Sequence, residues 1–235
     1  MSLLIASITP VMIFMYLVYR KDKLREPRSL LLKCFFGGFL ALVLTLIITG
    51  PIAPIAESIG SPFWKAFYDA FCLAAIPEEF SKLLILYWVI WRNKHFDQYY
   101  DGILYAIFVS LGFALVENIL YVLDGGMGVA IARAILAVPG HGFFAVLMGY
   151  YFALAKFHRG GQKNRLLLAS LGMPILFHGL YDFALMYSEA EELDEFLILG
   201  ILIFFTLVVI QLWRLGFKKI KAHLKRDHLI ADEMV

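Results

Sequence analysis

The sequence is short of charge and of cysteine. Only 17% of its 235 residues are Asp, Glu, Lys or Arg, against roughly a quarter in a typical soluble domain. The two cysteines, Cys34 and Cys72, fall inside apolar runs at different depths. That excludes a disulfide framework, and no metal-type cysteine spacing is present. Both read as small packing residues. Linkers, low-complexity tracts and internal repeats are lacking too, so a single domain over 1–235 is expected. What fills the chain instead is apolar: 61% of residues are hydrophobic and the mean hydropathy is +0.77. Long apolar runs recur from end to end. The fold class read from them is all-α, a polytopic membrane protein rather than a globular one.

Seven spans are predicted, at 3–19, 30–56, 63–91, 100–123, 128–155, 166–187 and 196–213. Each is long enough to cross a hydrocarbon core of about 30 Å as a helix, the first only just. The first run is not expected to be a cleaved signal peptide: no basic residue precedes it, no small-residue cleavage site follows it, and its charges lie behind it. Those charges orient the rest. Loop 20–28 holds Arg20, Lys21, Lys23, Arg25 and Arg28; loop 92–98 holds Arg92 and Lys94; loop 156–165 holds Lys156, Arg159, Lys163 and Arg165. Six more basic residues lie between Arg214 and Arg226. The alternate loops carry only Lys65, and loop 188–195 is acidic, with Glu189, Glu191, Glu192, Asp194 and Glu195. The positive-inside rule therefore predicts an N-terminus outside and a C-terminus in the cytoplasm. Trp88, Trp91 and Trp213 sit where an inner aromatic belt would place them. This pattern accounts for the basic residues, together with contacts to membrane lipid, and no nucleic-acid partner is expected.

Several ionisable residues defy the pattern. Glu78, Glu79, Lys82, Glu117 and Asp182 lie within predicted spans. A charge at the centre of a membrane helix costs roughly 2.5–3.5 kcal/mol on the insertion scale. Glu78 and Glu79 adjoin the centre of the third span, and His141 and His178 lie near the centres of the fifth and sixth. Glu117 and Asp182 are each about 8 Å further toward the predicted outside, at 1.5 Å per residue. Four antiparallel helices would thus bring acids and imidazoles to one layer. Such a cluster marks a functional site.

Spacing adds detail. Lys82 is i+4 from Glu78 and i+3 from Glu79, so it can pair with either; one glutamate is expected to be paired and the other left for chemistry. Pro77 lacks an N–H and is expected to disturb the helix where the carboxylates begin. Phe113 shares a face with Glu117, and His178 with Asp182, which can hold one imidazole nitrogen while the other faces a ligand. Asn118 points elsewhere, toward a neighbouring helix. Arg133 is expected to snorkel toward the outer surface, its alternative being a substrate carbonyl. Asp69 is expected to be solvated in an open cavity. Glycines 37, 38, 112, 140, 142 and 149 read as close-packing positions, and Gly140 and Gly142, flanking His141, would also let a peptide approach.

Two chemistries suit this set. Two histidines and a carboxylate are a familiar catalytic zinc set, which makes Glu117, His141 and His178 candidate metal ligands, with Glu78 or Glu79 as general base. The same residues support a metal-free route, in which a glutamate activates water and a histidine stabilises the oxyanion. Either is peptide hydrolysis.

These residues also carry a resemblance. "PEEFSK" contains an EExxK motif (Glu78, Glu79, Lys82). "FALVEN" contains FxxxE (Phe113, Glu117) followed by Asn118, "RAILAVPGH" ends at His141, and "HGLYD" contains HxxxD (His178, Asp182). In this order the motifs resemble the PrsW intramembrane protease family, a branch of the group that includes the CAAX prenyl endopeptidases, over nearly the whole chain. The resemblance implies a metalloprotease in a bacterial cell membrane. It also implies site-1 cleavage of a single-span, membrane-anchored anti-sigma factor on its extracytoplasmic side. The CAAX endopeptidases carry His where this chain has Glu117, so the roles known there do not transfer directly.

The competing class is a proton-coupled transporter or channel, since buried acids, histidines and lysines also relay protons. Against it, the polar residues gather in one layer, the inner halves of the fourth and sixth spans are read as free of ionisable residues, and no paired broken helices appear. A third class, an inactive relative acting as a scaffold, is opposed by the complete motif set.

Overall fold

The computed structural model describes residues 1–22, 24–158, 160–190 and 193–233. Lys23, Arg159, Glu191 and Glu192, which entered the charge pattern, lie outside the described residues. Among the described residues there is no strand, and eight α-helices follow in order. They are α1 (Ser2–Tyr19), α2 (Arg28–Thr49), α3 (Pro62–Phe67), α4 (Ile76–Ile90), α5 (Tyr99–Ile135), α6 (Ala137–Phe157), α7 (Gly161–Ser188) and α8 (Glu195–Glu233). The protein is an all-α, polytopic membrane protein. Five helical stretches have the length and apolarity to span a membrane: α1, α2, α7, Glu195–Ile230 of α8, and the 59 residues Tyr99–Phe157 that contain both α5 and α6.

The third predicted span is built differently. It is divided into α3, a π-helical stretch at Tyr68–Ala75, and α4. Pro77 is the second residue of α4 and has no N–H to offer the carbonyl four residues before it. The wider i→i+5 turns lie immediately upstream, as π-turns commonly do beside functional sites. Thr45 of α2 braces the junction, donating from Oγ1 to Pro77 O at 3.4 Å and to Ala41 O at 3.0 Å. The second predicted span is shorter than 30–56: α2 stops at Thr49, ahead of Pro51 and Pro54, and a 3-10 turn occupies Ala53–Ser58.

The core is the first half of α5. Every residue from Tyr100 to Ala114 is buried, because α1, α2 and α6 pack around it. Its apolar residues surround the whole helix, as a central helix requires. Gly38 and Gly112 make the α2–α5 crossing: a β-carbon at 38 would overlap the Val109 carbonyl, and one at 112 the Phe35 carbonyl. Gly142 likewise leaves room for the Phe14 ring, whereas a β-carbon at Gly140 would meet only ordinary contacts, the nearest Phe144 at 3.7 Å.

α5 is two pieces joined at Gly126, whose φ of 75° lies in the left-handed region that glycine adopts without steric cost. The second piece turns back and carries Arg133. At the other end, α8 runs twenty residues past Trp213, the predicted end of its span. There Asp227 accepts hydrogen bonds from the Tyr99 and Tyr100 N–H groups at 2.9 and 2.8 Å, satisfying donors at the start of α5 that have no partner within the helix. Trp88 is 75% exposed, as a belt residue should be, but Trp91 is buried against Tyr87 and Phe152. Both cysteines are free thiols.

Candidate active site

The first turn of α4 presents Glu78 and Glu79, and Lys82 follows one turn later on the same face. Lys82 Nζ lies 3.0 Å from Glu78 Oε2 and 2.9 Å from Glu79 Oε1. The expectation that only one glutamate is paired is therefore corrected: an ammonium has three donors and uses one on each carboxylate. The third faces His141 Nδ1 at 3.3 Å. The centroid of the Phe113 ring lies 4.2 Å from Lys82 Nζ, a cation–π contact. Lys82 and Glu79 have no exposed surface, and Glu78, His141 and His178 are buried.

α7 supplies the next partner. His178 Nδ1 is 3.0 Å from Glu79 Oε1, and its Nε2 is 3.1 Å from Asp182 Oδ2 and 4.0 Å from Glu78 Oε2. Asp182 thus holds one nitrogen, as the i, i+4 spacing predicts, while the other aims at Glu79. Phe144 of α6 stacks on the ring at 4.7 Å and 15°, which fixes its plane.

α5 and α6 supply the remainder. His141 Nε2 lies 2.8 Å from Glu117 Oε2. With Lys82 donating to Nδ1, the network assigns the ring proton to Nε2, which donates to Glu117. Ser110 Oγ donates to His141 O at 3.0 Å. Asn118 does reach another helix: its Nδ2 donates to Ser7 O of α1 at 2.7 Å. Arg133 departs from expectation. It turns inward, with Nη2 2.8 Å from Glu117 Oε2 and Nε 2.8 Å from Asn118 Oδ1, because the Gly126 turn returns its helix toward Glu117. Asp69 is held by Lys65 at 2.6 Å, in a cleft of about 530 Å³ bordered by Pro62, Met186 and Glu189.

The expected metal set is divided by this arrangement. Glu117 and His141 touch each other, whereas His178 sits with the glutamate pair; the two imidazole centroids are 5.6 Å apart. The triplet in this site whose donor atoms gather to within 4.8 Å is Glu78, Glu79 and His178. Glu79 Oε2 is buried with no hydrogen-bond partner, an unusual state for a carboxylate oxygen. Two carboxylates and an imidazole with donor atoms within 4.8 Å of one another, one carboxylate keeping an oxygen unpartnered among the described residues, suit a divalent ion such as zinc. The residues present therefore fit a metal.

A second acidic group was not legible in the sequence. Asp101, in the first turn of α5, is fully buried, and its carboxylate gathers with those of Glu26 and Asp97 to within 4.8 Å. The reading that the near half of the fourth span lacks ionisable residues is thereby corrected. Asp101 is sixteen residues from Glu117, about 24 Å along the helix, so it stands apart from the site.

Known proteins give the site its context. Residues 26–211 match a family described as PrsW family intramembrane metalloprotease. The Protease PrsW of Oceanobacillus iheyensis is 40% identical over 187 residues, covering 79% of this chain and 83% of that protein. The Protease PrsW of Clostridioides difficile is 32% identical over 234 residues, covering 97% of this chain and 93% of that protein. The Protease PrsW of Bacillus subtilis is 35% identical over 185 residues, covering 78% and 83%. No solved structure matches the chain. With its charges gathered inside a helical membrane bundle, the protein is an intramembrane protease of the multi-pass bacterial cell-membrane class. It belongs to the PrsW family.

Proposed function

We propose that a single domain over 1–235 hydrolyses a peptide bond of a single-span membrane protein, an anti-sigma factor, near its extracytoplasmic face. The observation that carries this reading is the convergence of Glu78, Glu79 and His178 from α4 and α7, with donor atoms within 4.8 Å. The basic loops between α1 and α2, between α4 and α5, and at the end of α8 support an N-terminus outside and a C-terminus inside. In that orientation Glu117 and Asp182 lie toward the outside.

Glu78 is the better base of the pair. Its Oε2 contacts Lys82, and its side chain keeps 10% exposure whereas that of Glu79 keeps none. It takes a proton from water as the water oxygen adds to the scissile carbonyl carbon. The C–N bond then breaks, and that proton passes to the leaving amine. Glu79 holds Lys82 and His178 in place through one oxygen, Oε1. In the metal-free route His178, held by Asp182 at Nε2 and stacked on Phe144, would release Glu79 and turn Nδ1 to the developing oxyanion. In the alternative metal route, a zinc ion would be held by Glu78, Glu79 and His178 and would supply a Lewis acid at the carbonyl in place of the free Glu78 base. Glu117 and His141, linked to Lys82, support the pair from behind.

The test is reconstitution in liposomes with a single-span substrate labelled in its short extracytoplasmic segment, the products being mapped by mass spectrometry. Cleavage near the outer face, abolished by Glu78→Gln, is the expected result. Proton flux without cleavage would overturn the reading in favour of a transporter.

A further inference from the structure

Among the described residues, Arg133 is the one cation of the site that the catalytic reading leaves without a task. Arginine near the end of a membrane helix ordinarily extends toward water. This one spends its donors inward. Nη2 binds Glu117 Oε2 at 2.8 Å and Nε binds Asn118 Oδ1 at 2.8 Å, while the guanidinium carbon lies 4.4 Å from the centroid of the Tyr121 ring. Glu117, Asn118 and Tyr121 are neighbours on one face of α5, so the guanidinium is gripped on three sides. Asn118 is itself anchored to the Ser7 carbonyl of α1 at 2.7 Å.

The oxygen that Arg133 holds is the one facing His141. Glu117 Oε2 lies 2.8 Å from Arg133 Nη2 and 2.8 Å from His141 Nε2. His141 in turn meets Lys82 Nζ at 3.3 Å, and Lys82 holds both glutamates. A continuous line of polar contacts therefore runs from Arg133 through Glu117, His141 and Lys82 to Glu78 and Glu79. Nε fixes the guanidinium plane on Asn118 while Nη2 meets Glu117, so the rigid plane sets the direction from which Glu117 is held, which a single ammonium cannot do.

We infer that Arg133 is a positioning residue of the protease: braced by Asn118, it aims Glu117 at His141 and thereby sets Lys82 between the two glutamates. It acts through Glu117 and touches no reacting atom. This rests on the proposed proteolytic reading of the Glu78–Glu79–His178 site.

The test is steady-state cleavage by the full chain in liposomes, with Glu79→Gln as control and thermal unfolding in detergent as the check on folding. Arg133→Ala is expected to lower kcat roughly ten- to hundred-fold, the range for groups that orient a catalytic site from behind, with KM nearly unchanged. Arg133→Lys should recover part of that loss, since it restores the charge but not the two-point grip. Asn118→Ala, which frees one end of the guanidinium, should lower kcat by less than Arg133→Ala. Wild-type kcat in Arg133→Ala would overturn the inference. So would a raised KM at unchanged kcat, which would make Arg133 a substrate-binding group, or a lysine variant no better than alanine. If Arg133→Ala does not fold, the lysine and Asn118 variants decide by the same criteria. Full activity of Glu79→Gln would instead remove the catalytic reading on which the inference stands.

Discussion

His178 Nδ1 lies 3.0 Å from Glu79 Oε1, although ninety-nine residues separate the two in sequence. That contact joins α7 to α4, and it is made in the buried interior of a bundle where neither group has water to fall back on. Its consequences reach stability, packing and metal affinity as well as activity.

Lys82 is the countercharge that makes the carboxylate pair tolerable. Removing one partner of a buried ion pair leaves the other uncompensated, at about 3–5 kcal/mol. Lys82→Met is expected to lower the unfolding free energy in detergent by an amount in that range. Adding Glu78→Gln to the same chain should return part of the loss. Equal stability of Lys82→Met and wild type would show that the ammonium is not the group holding both acids.

Close backbone approach at Gly112 makes a second prediction. Gly112→Ala forces a β-carbon onto the Phe35 carbonyl, and overpacking of this kind costs about 1–3 kcal/mol. Gly172→Ala, where nothing lies within 4 Å, should be neutral or stabilise α7 by up to about 1 kcal/mol. Unfolding midpoints of the two variants, measured side by side, should move in opposite directions or by clearly different amounts.

Glu26, in the loop between α1 and α2, is pushed up to about 7, first by burial and then by the neighbouring carboxylates of Asp22 and Asp97, against the hydrogen bond from Tyr105. A carboxyl raised on folding binds its proton more tightly in the native state. Its contribution is fully present below the unfolded value and is lost as pH rises through about 7. Thermal unfolding is therefore expected to show lower stability at pH 8 than at pH 5.5. Glu26→Gln, which keeps an acceptor for Tyr105, should flatten that difference. An unchanged slope in the variant would assign the pH dependence to other groups.

Zinc retention tests the donor triplet. After equilibration with zinc and gel filtration, the wild-type chain should carry the metal, and Glu79→Gln and His178→Ala should not. Because this readout is metal content, it stands apart from cleavage. Retention by both variants would move the ion elsewhere.

How much of this could be read from the residues differs from place to place. The apolar runs located α1 closely and the bodies of α2, α6 and α7, with ends off by one to nine residues, because a membrane leaves the backbone few alternatives to the helix. Glu78, Glu79, Lys82, His178 and Asp182 were legible because charge inside an apolar run is costly and i, i+4 spacing is geometry. The π-helical turns before Pro77 were foreshadowed by the proline, but their extent over eight residues goes with packing against α7. Arg133 was misread because its direction follows from the φ of Gly126, a single backbone angle seven residues, or about 10 Å of helix, away. The length of α8 was missed because its last turns are polar, and hydropathy marks where lipid ends, not where a helix does. Asp101 was visible inside the fourth predicted span, but its cluster was not, because Glu26 and Asp97 reach it from two separate loops.

The most direct test is to measure kcat for Glu79→Gln, for His178→Ala and for the two combined, in liposomes with the single-span substrate. If the pair acts as one unit, each single variant should lose nearly all turnover and the double variant should be little worse than either. Substantial turnover in either single variant, or losses that simply multiply in the double, would contradict a shared centre.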